Sequence, residues 1–467
     1  MITNITYGLL AGILILLVFI SYRLSNIIKT SKEEGNATHE GMLHFSQNLI
    51  YTSVVIIIAI AFGLTYYFVK GTPWESHLME WLNIIVRVMH ITFGIAWIGA
   101  SFYFVFLENS LNRTEDVRDE LAGNLWAVHG GGFYYLEKYK VAPKEIPKNL
   151  HWFKYEAYFT WLSGFCLLFI VYYFNASALL IDKTVMDITP FQAIEISIAS
   201  FIVAWIIYDV LCKSPLIKKT WLFGIIGILL LTGFAYFYAH VFSARAAFIH
   251  FGAMIGGIMV ANVFFVIIPS QKAMVKAAKE NKPLNPQLGK NALARSLHNN
   301  YFTLPVLFVM VSNHFPSTFG YKYPWLILII ITLASAGIKH YLNLREKKIH
   351  SVWVFPVSVI ILLSAALISA PAKNPNECKS EVSIVQVNAI VQKRCISCHS
   401  SRPTDDVYKV APNGVKYDTP EDIVKKKDLI MQRVVITKTM PQNNKTNITE
   451  EERDLIRCWI EQGAQLK

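Results

Sequence analysis

Stretches of about 20 consecutive apolar residues, repeated along the chain and separated by basic connectors, constrain this sequence more than any other feature. Only a helix satisfies its own backbone polar groups over such a length in hydrocarbon. These runs lie near residues 5–28, 48–69, 82–107, 155–174, 191–211, 221–241, 247–268, 299–315, 324–342 and 352–371, and the eighth is short and holds Pro305. The expected fold is therefore all-α: a polytopic helical membrane bundle of about ten spans over residues 1–372. Composition agrees, because 16% of residues are charged against roughly 25% in soluble domains. The first run is too long for a signal-peptide core and has no small-residue cleavage site after it, so it is expected to remain as a membrane helix.

Net charge is +12, which in a soluble protein would raise nucleic acid as a partner. Here Lys and Arg lie between apolar runs rather than on one continuous face, so the charge reads as orientation and lipid is the surrounding partner. Alternate connectors are rich in cations: Arg23, Lys29 and Lys32; Arg113 through Lys154; Lys213, Lys218 and Lys219; Lys272 through Arg295; and Lys339, Arg345, Lys347 and Lys348. The other set holds only Lys70, Lys183, Arg245 and Lys322. The positive-inside rule puts the first set in the cytoplasm of a bacterial inner membrane, with the N-terminus and everything after the last span in the periplasm.

Past Pro371, Asn374, Pro375 and Asn376 the composition becomes that of a small soluble domain, 373–467. It opens with a helical pattern from Val382 to Arg394 and closes with one from Thr449 to Gly463, whose Thr449-Glu450-Glu451-Glu452 start reads as a cap. Cys395-Ile396-Ser397-Cys398-His399 is the C-x-x-C-H signature of covalent c-type haem. Each thiol adds to a haem vinyl group, and the adjacent imidazole takes the iron. A zinc or redox C-x-x-C loses weight because no second Cys/His pair follows at zinc spacing. Met440, before Pro441 in the loop preceding the last helix, is the expected sixth ligand, and Met431 is the only other methionine of the domain. Met/His ligation raises the potential, which suits an electron acceptor. Helix, motif, loop Met and final helix in that order make this a small class I cytochrome c domain. Cys166 and Cys212 read as packing residues of the spans, whereas Cys378 and Cys458 flank the crossing helices of the domain and are expected to pair.

Ionisable residues inside spans are costly and mark functional candidates. Topology sorts Arg87, His90, His240, Arg245, His250 and His314 to the periplasmic side, and His129, His151, His298 and His340 to the cytoplasmic side. Two sharper uses of the first cluster are compatible: His90 and His250 as ligands of a haem b between the third and seventh spans, and Arg87 and Arg245 clamping a planar anion through forked hydrogen bonds. The bland alternative makes each His a hydrogen-bonded helix-interface residue.

Several long strings carry a family resemblance: VMHITFGIAWIGASFYFVFLEN from Val88, WAVHGGGFY from Trp126, HWFKYEAYFTWLSG from His151, FSARAAFIHFGAMIGGIMVANVFFVIIP from Phe242 and SLHNNYFTLPVLFVMVSNH from Ser296. In matching order over nearly the whole chain, they resemble membrane-bound urate oxidases with a fused C-terminal cytochrome c. The resemblance implies a urate hydroxylase that makes 5-hydroxyisourate and passes electrons through its own haem c to a terminal cytochrome oxidase or a soluble cytochrome c, without making hydrogen peroxide. It assigns no catalytic residues.

Nothing in composition or spacing names urate. Another reading keeps the chain as an electron-transfer subunit, from quinol or a partner oxidase to cytochrome c, with no organic substrate. For the enzyme reading, the pocket is expected at the periplasmic end around Arg87, His90, Arg245 and His250. A competing location is the cytoplasmic end, near His129, His298 and Asn299.

Overall fold

The structure is a computed structural model that describes residues 63–143, 145–370, 378 and 380–466. The expected spans at 5–28 and, for the most part, 48–69 fall outside the described residues. Of the rest, α1 (Pro73–Ser110) has 38 residues, about 57 Å at 1.5 Å per residue, more than a bilayer core requires. It is followed by α2 (Tyr155–Tyr173), α3 (Pro190–Lys213), α4 (Thr220–Val241) and α5 (Ala244–Lys279). Then come α6 (Pro286–Ser312), the single turn Pro316–Phe319, α7 (Pro324–Glu346) and α8 (Val354–Ile368).

Six helices among the described residues, α1 to α5 and α7, are long and apolar enough to cross a membrane. The expected eighth run lies within α6, where Pro305 and the polar turns from Lys290 to Asn300 dilute the apolar stretch. The expected tenth is α8, whose 15 residues fall short of the roughly 20 that span hydrocarbon.

The all-α expectation needs one correction. Between α1 and α2, β1 (Leu121–His129) and β2 (Gly132–Tyr139) pair antiparallel, with His129 opposite Gly132. Gly130 and Gly131 form the two-residue turn at φ +59° and +78°, the conformation that strand twist demands of such loops and that glycine adopts without strain. β-prone Leu125, Trp126 and Val128 precede the turn, and Phe133, Tyr134 and Tyr135 follow it.

α5 is the hub, with 61% of its apolar window buried against 11–44% for the other five spanning candidates. Its small residues explain this, since small side chains let helix backbones approach closely. At Gly252 a Cβ would lie 2.6 Å from Val309 Cγ1 of α6. Phe248, Phe251, Met254 and Ile255 of the same helix are fully buried. Two helix starts near the hub are fixed by side chains: Thr189 and Gln192 form a capping box on α3, and Ser243 Oγ accepts from Ala246 N on α5.

The C-terminal residues build a second core around Val387, Val391, Ile423, Ile456 and Trp459. α9 (Ile384–Arg394) and α10 (Glu450–Glu461) pack together, with the shorter segments Pro420–Lys425, Lys427–Ile430 and Met431–Ile436 between them in sequence. Capping boxes start both, Ser383 with Gln386 and Thr449 with Glu452. Arg394 of α9 grips Glu452 of α10 through Nε and Nη2. Cys378 and Cys458 are disulfide-bonded across 80 residues of sequence, Cα to Cα 5.5 Å. These helices and the bundle from Asn83 onward form one compact unit.

Candidate functional site

The turn from α4 into α5 places the site residues. Ser243 donates through Oγ to Leu179 O and through its backbone N to Leu180 O, 2.8 and 2.9 Å. Arg245 and His250 therefore stand on the first two turns of α5, beside the end of α2. Arg245 Nε donates to Asn313 Oδ1 at 3.2 Å, and the Tyr172 hydroxyl donates to the same oxygen at 3.3 Å. Arg87 of α1 lies within electrostatic range of both Tyr172 and Arg245. Arg87 itself is exposed and donates to Asn83 Oδ1 of its own helix at 3.0 Å, and beside Arg245 the structure adds Tyr172 and Asn313, which the sequence did not single out. Their only signal was a polar group at each end of an apolar run.

The four histidines separate. His250 is completely buried, gives its Nδ1 proton to Ala246 O at 2.8 Å, and leaves Nε2 without a protein partner. Its ring is walled by Tyr172, Tyr173, Phe201, Tyr238 and Phe242. His90 instead binds α2, with Nδ1 2.9 Å from Thr160 O, and its ring lies so close to Gly164 that a Cβ there would sit 2.8 Å from Cε1. His90 meets α2 at Ser163 and His250 meets it at Tyr172, nine residues on, about 13 Å along the axis. The geometry does not bring the two imidazoles to one iron. His240 stacks on Tyr236 of its own helix, and His314 is exposed.

At the other end of α5 lies a second polar cluster. Arg295 of α6, 4% exposed, donates to Asp209 Oδ1 at 2.6 Å and to Asn262 Oδ1 at 3.1 Å. Asn262 donates to Asn299 Oδ1 at 2.8 Å, and His298 Nδ1 shares a hydrogen bond of 2.8 Å with the Tyr208 hydroxyl. An open cleft of about 470 Å³ beside it is lined by Trp205, Asp209, Lys213, Phe265, Pro269 and Ser270 among others. His298 and Asn299 belong to this cluster, whereas His129 sits exposed at the hairpin turn. Among the described residues no three His, Cys, Asp or Glu side chains are grouped to hold a metal ion.

In the C-terminal unit α9 ends at Arg394 and the chain turns back, His399 N donating to Cys395 O at 2.9 Å. His399 Nδ1 donates to Val415 O at 3.0 Å, which fixes the ring and directs Nε2 away from that bond. Burial pushes the Cys395 thiol up to about 12. Burial lowers His399 below the usual imidazole range, against the Val415 bond. Met440 packs into the same core as Cys395, and its carbonyl accepts from buried Arg453 at 2.8 Å.

The loop after Met440 touches the bundle. Gln442 Nε2 donates to Ala178 O at 2.9 Å, and Asn443 Nδ2 donates to Ala178 O and Ile181 O, both at 2.7 Å. The Tyr408 hydroxyl donates to Gln442 Oε1 at 2.6 Å. Burial raises the Tyr408 phenol, and the charge of Arg245 draws it back. Burial and the same charge lower Arg433.

No curated protein and no solved structure matches the chain at a significant level. A family model described as urate oxidase N-terminal matches residues 76–370, well over half of the sequence, ending where the C-terminal linker begins. The match takes in Arg87, Tyr172, Arg245, His250, Arg295 and Asn313, and the chain belongs to the urate oxidase N-terminal family.

Proposed function

We propose that this chain is a membrane-bound urate hydroxylase of about ten spans, with both termini in the periplasm and a C-terminal class I cytochrome c domain. The observation that carries the reading is the joining, in one chain, of a urate oxidase N-terminal segment to the Cys395-x-x-Cys398-His399 turn. The residues present fit a c-type haem. Cys395 and Cys398 are free thiols on one turn, His399 has Nδ1 tied to Val415 with Nε2 left for iron, and Met440 lies in the same core. When bound, that haem supplies a one-electron acceptor on the periplasmic side.

The reaction balances as urate plus water giving 5-hydroxyisourate, two protons and two electrons, the oxygen of the new hydroxyl coming from water. Arg87 and Arg245 hold the urate anion, because a guanidinium pairs with an edge of carbonyl oxygens by two parallel hydrogen bonds. Asn313 and Tyr172 orient Arg245 for this. His250, with Nε2 uncommitted beside Tyr172, is the group proposed to take a proton. Electrons leave to a terminal cytochrome oxidase or a soluble cytochrome c.

The test is anaerobic addition of urate to purified protein while recording the haem c spectrum. Reduction without oxygen is expected. A haem that dithionite reduces and urate does not would overturn the reading.

A further inference from the structure

We propose that the C-terminal unit works in the position in which it is docked, so that electrons cross a fixed interface within one chain and the unit does not swing on its linker. The inference rests on the urate hydroxylase reading. It starts from four consecutive backbone carbonyls after α2. Ala178 O and Ile181 O accept from Gln442 and Asn443, two and three residues beyond Met440, while Leu179 O and Leu180 O accept from Ser243, two residues before Arg245. One turn of chain therefore ties the loop of the expected iron ligand to the helix start that carries the expected urate ligand.

The clamp is built for orientation. Tyr408 donates to the Gln442 amide oxygen, which leaves the amide nitrogen facing Ala178. Asn443 takes φ +50°, a conformation Asn tolerates better than most residues, and so reaches two carbonyls with one amide. A second contact prevents pivoting about the first. Gly320 admits Thr437, whose carbonyl oxygen would lie 2.9 Å from any Cβ there, and Gln432 Nε2 donates to Ser317 Oγ at 3.3 Å.

A haem held by Cys395, Cys398 and His399 would accept one electron per crossing and pass it to the terminal oxidase or soluble cytochrome c before the next. Two crossings complete one turnover, water supplies the hydroxyl, and both protons leave to solvent.

The experiment locks the interface. Gln432 Nε2 lies 3.3 Å from Ser317 Oγ, so Ser317→Cys and Gln432→Cys come within reach of a short bifunctional thiol reagent, while Gly320, where a Cβ would meet the Pro316 and Thr437 carbonyls, is left intact. Mass spectrometry of the doubly substituted full-length protein is expected to show the bridging bond forming on addition of the reagent, with urate-driven haem reduction within twofold of wild type. In a second arm, Gln442→Ala with Asn443→Ala is expected to slow urate-driven reduction tenfold or more, while haem content, potential and dithionite reduction stay unchanged. Failure of the bond to form, loss of urate-driven reduction once it has formed, or wild-type rates in the clamp variant each overturn the proposal. Should urate fail to reduce even the wild type while the bond forms, the functional reading falls and the docking stands.

Discussion

Replacing Arg245 by Lys keeps the charge and removes the fork, which makes it the most direct probe of the anion site. The guanidinium gives Nε to Asn313 and faces the Tyr172 phenol, and in the proposed site its Nη groups meet the planar anion. Lysine offers a point charge on a flexible stem and cannot make two parallel hydrogen bonds to one edge. Losing one charge-assisted hydrogen bond costs about 1.5–3 kcal/mol, a fall of about 10- to 150-fold at 1.36 kcal/mol per decade. Anaerobic urate titration followed in the haem c band reads it as a fall in kcat/KM, with dithionite reduction as the control. Asn313→Ala is expected to give a smaller loss, because it frees Nε without removing the fork. Wild-type kcat/KM in both Arg245→Lys and Arg87→Lys would refute the argument.

Other outcomes follow from the C-terminal unit. Cys395→Ala or Cys398→Ala is expected to abolish normal two-thioether attachment, read by mass spectrometry and by haem stain after denaturing electrophoresis. Met440→Ala is expected to leave haem attached and lower its potential, and an unchanged potential would remove Met440 as ligand. The bond between Cys378 and Cys458 closes a loop of 80 residues, and its removal is expected to cost about 4 kcal/mol in the chain-entropy model, measured by denaturant titration of the Cys378→Ser, Cys458→Ser protein. Burial works against the charge of Asp405, yet Lys445 and the N–H groups of Val407 and Tyr408 hold its carboxyl down to about 2. A depressed carboxylate contributes stability above its unfolded pKa near 4 that is lost as pH falls through about 2. After allowance for solvent screening this is on the order of 1–2 kcal/mol, and Asp405→Asn is expected to flatten that acid limb in a pH series of unfolding curves.

The spans were legible because lipid imposes one rule on sequence, length of apolar run, and α1 to α5 and α7 obey it. α6 blurred because its first turns are polar and largely exposed, and because the residues buried beyond them include Arg295, Asn299 and Asn300. Arg295 and Lys339 were counted as connector cations, yet they are 4% and 1% exposed. Charge counting sees their sign and misses the Asp209 carboxylate and the Phe102 ring that receive them. The hairpin was missed although Gly-Gly between β-prone residues signals it, since apolar length dominated the reading of that region. Arg87 stood out as a cation inside an apolar run, and Arg245 as one just ahead of another. Tyr172 and Asn313 lie beside Arg245 only through the π-helical end of α2 and the close of α6, which no local pattern encodes. His90 shows the opposite: its place inside an apolar run suggested a ligand, and in the structure it lies close against Gly164 and bonds to Thr160 O as an interhelical tie.

Under the proposed function two polar clusters are candidates for the substrate site, and α5 separates them: Arg245 lies in its first turn and Asn262 seventeen residues later, about 25 Å along the axis. Electron transfer weakens steeply with distance, and the loop carrying Met440 sits on the carbonyls beside Ser243. A urate at Arg245 is therefore adjacent to its acceptor, whereas one in the cleft beside Asp209 is a bundle length away. The chemistry of the second cluster agrees. Asp209 is engaged by both Arg295 and Lys213 at 2.6 Å, and Arg295 spends its remaining contacts on Asn262 and the faces of Trp205 and Tyr208. Such a network holds α3, α5 and α6 together and leaves no free fork for a ligand. Removing one member of a buried ion pair strands the other at a cost of about 3–5 kcal/mol. Asp209→Asn is accordingly expected to lower thermal stability sharply while urate-driven haem reduction per folded molecule keeps its wild-type KM. A raised KM at unchanged stability would move the substrate to the Asp209 cleft and require a relay along α5.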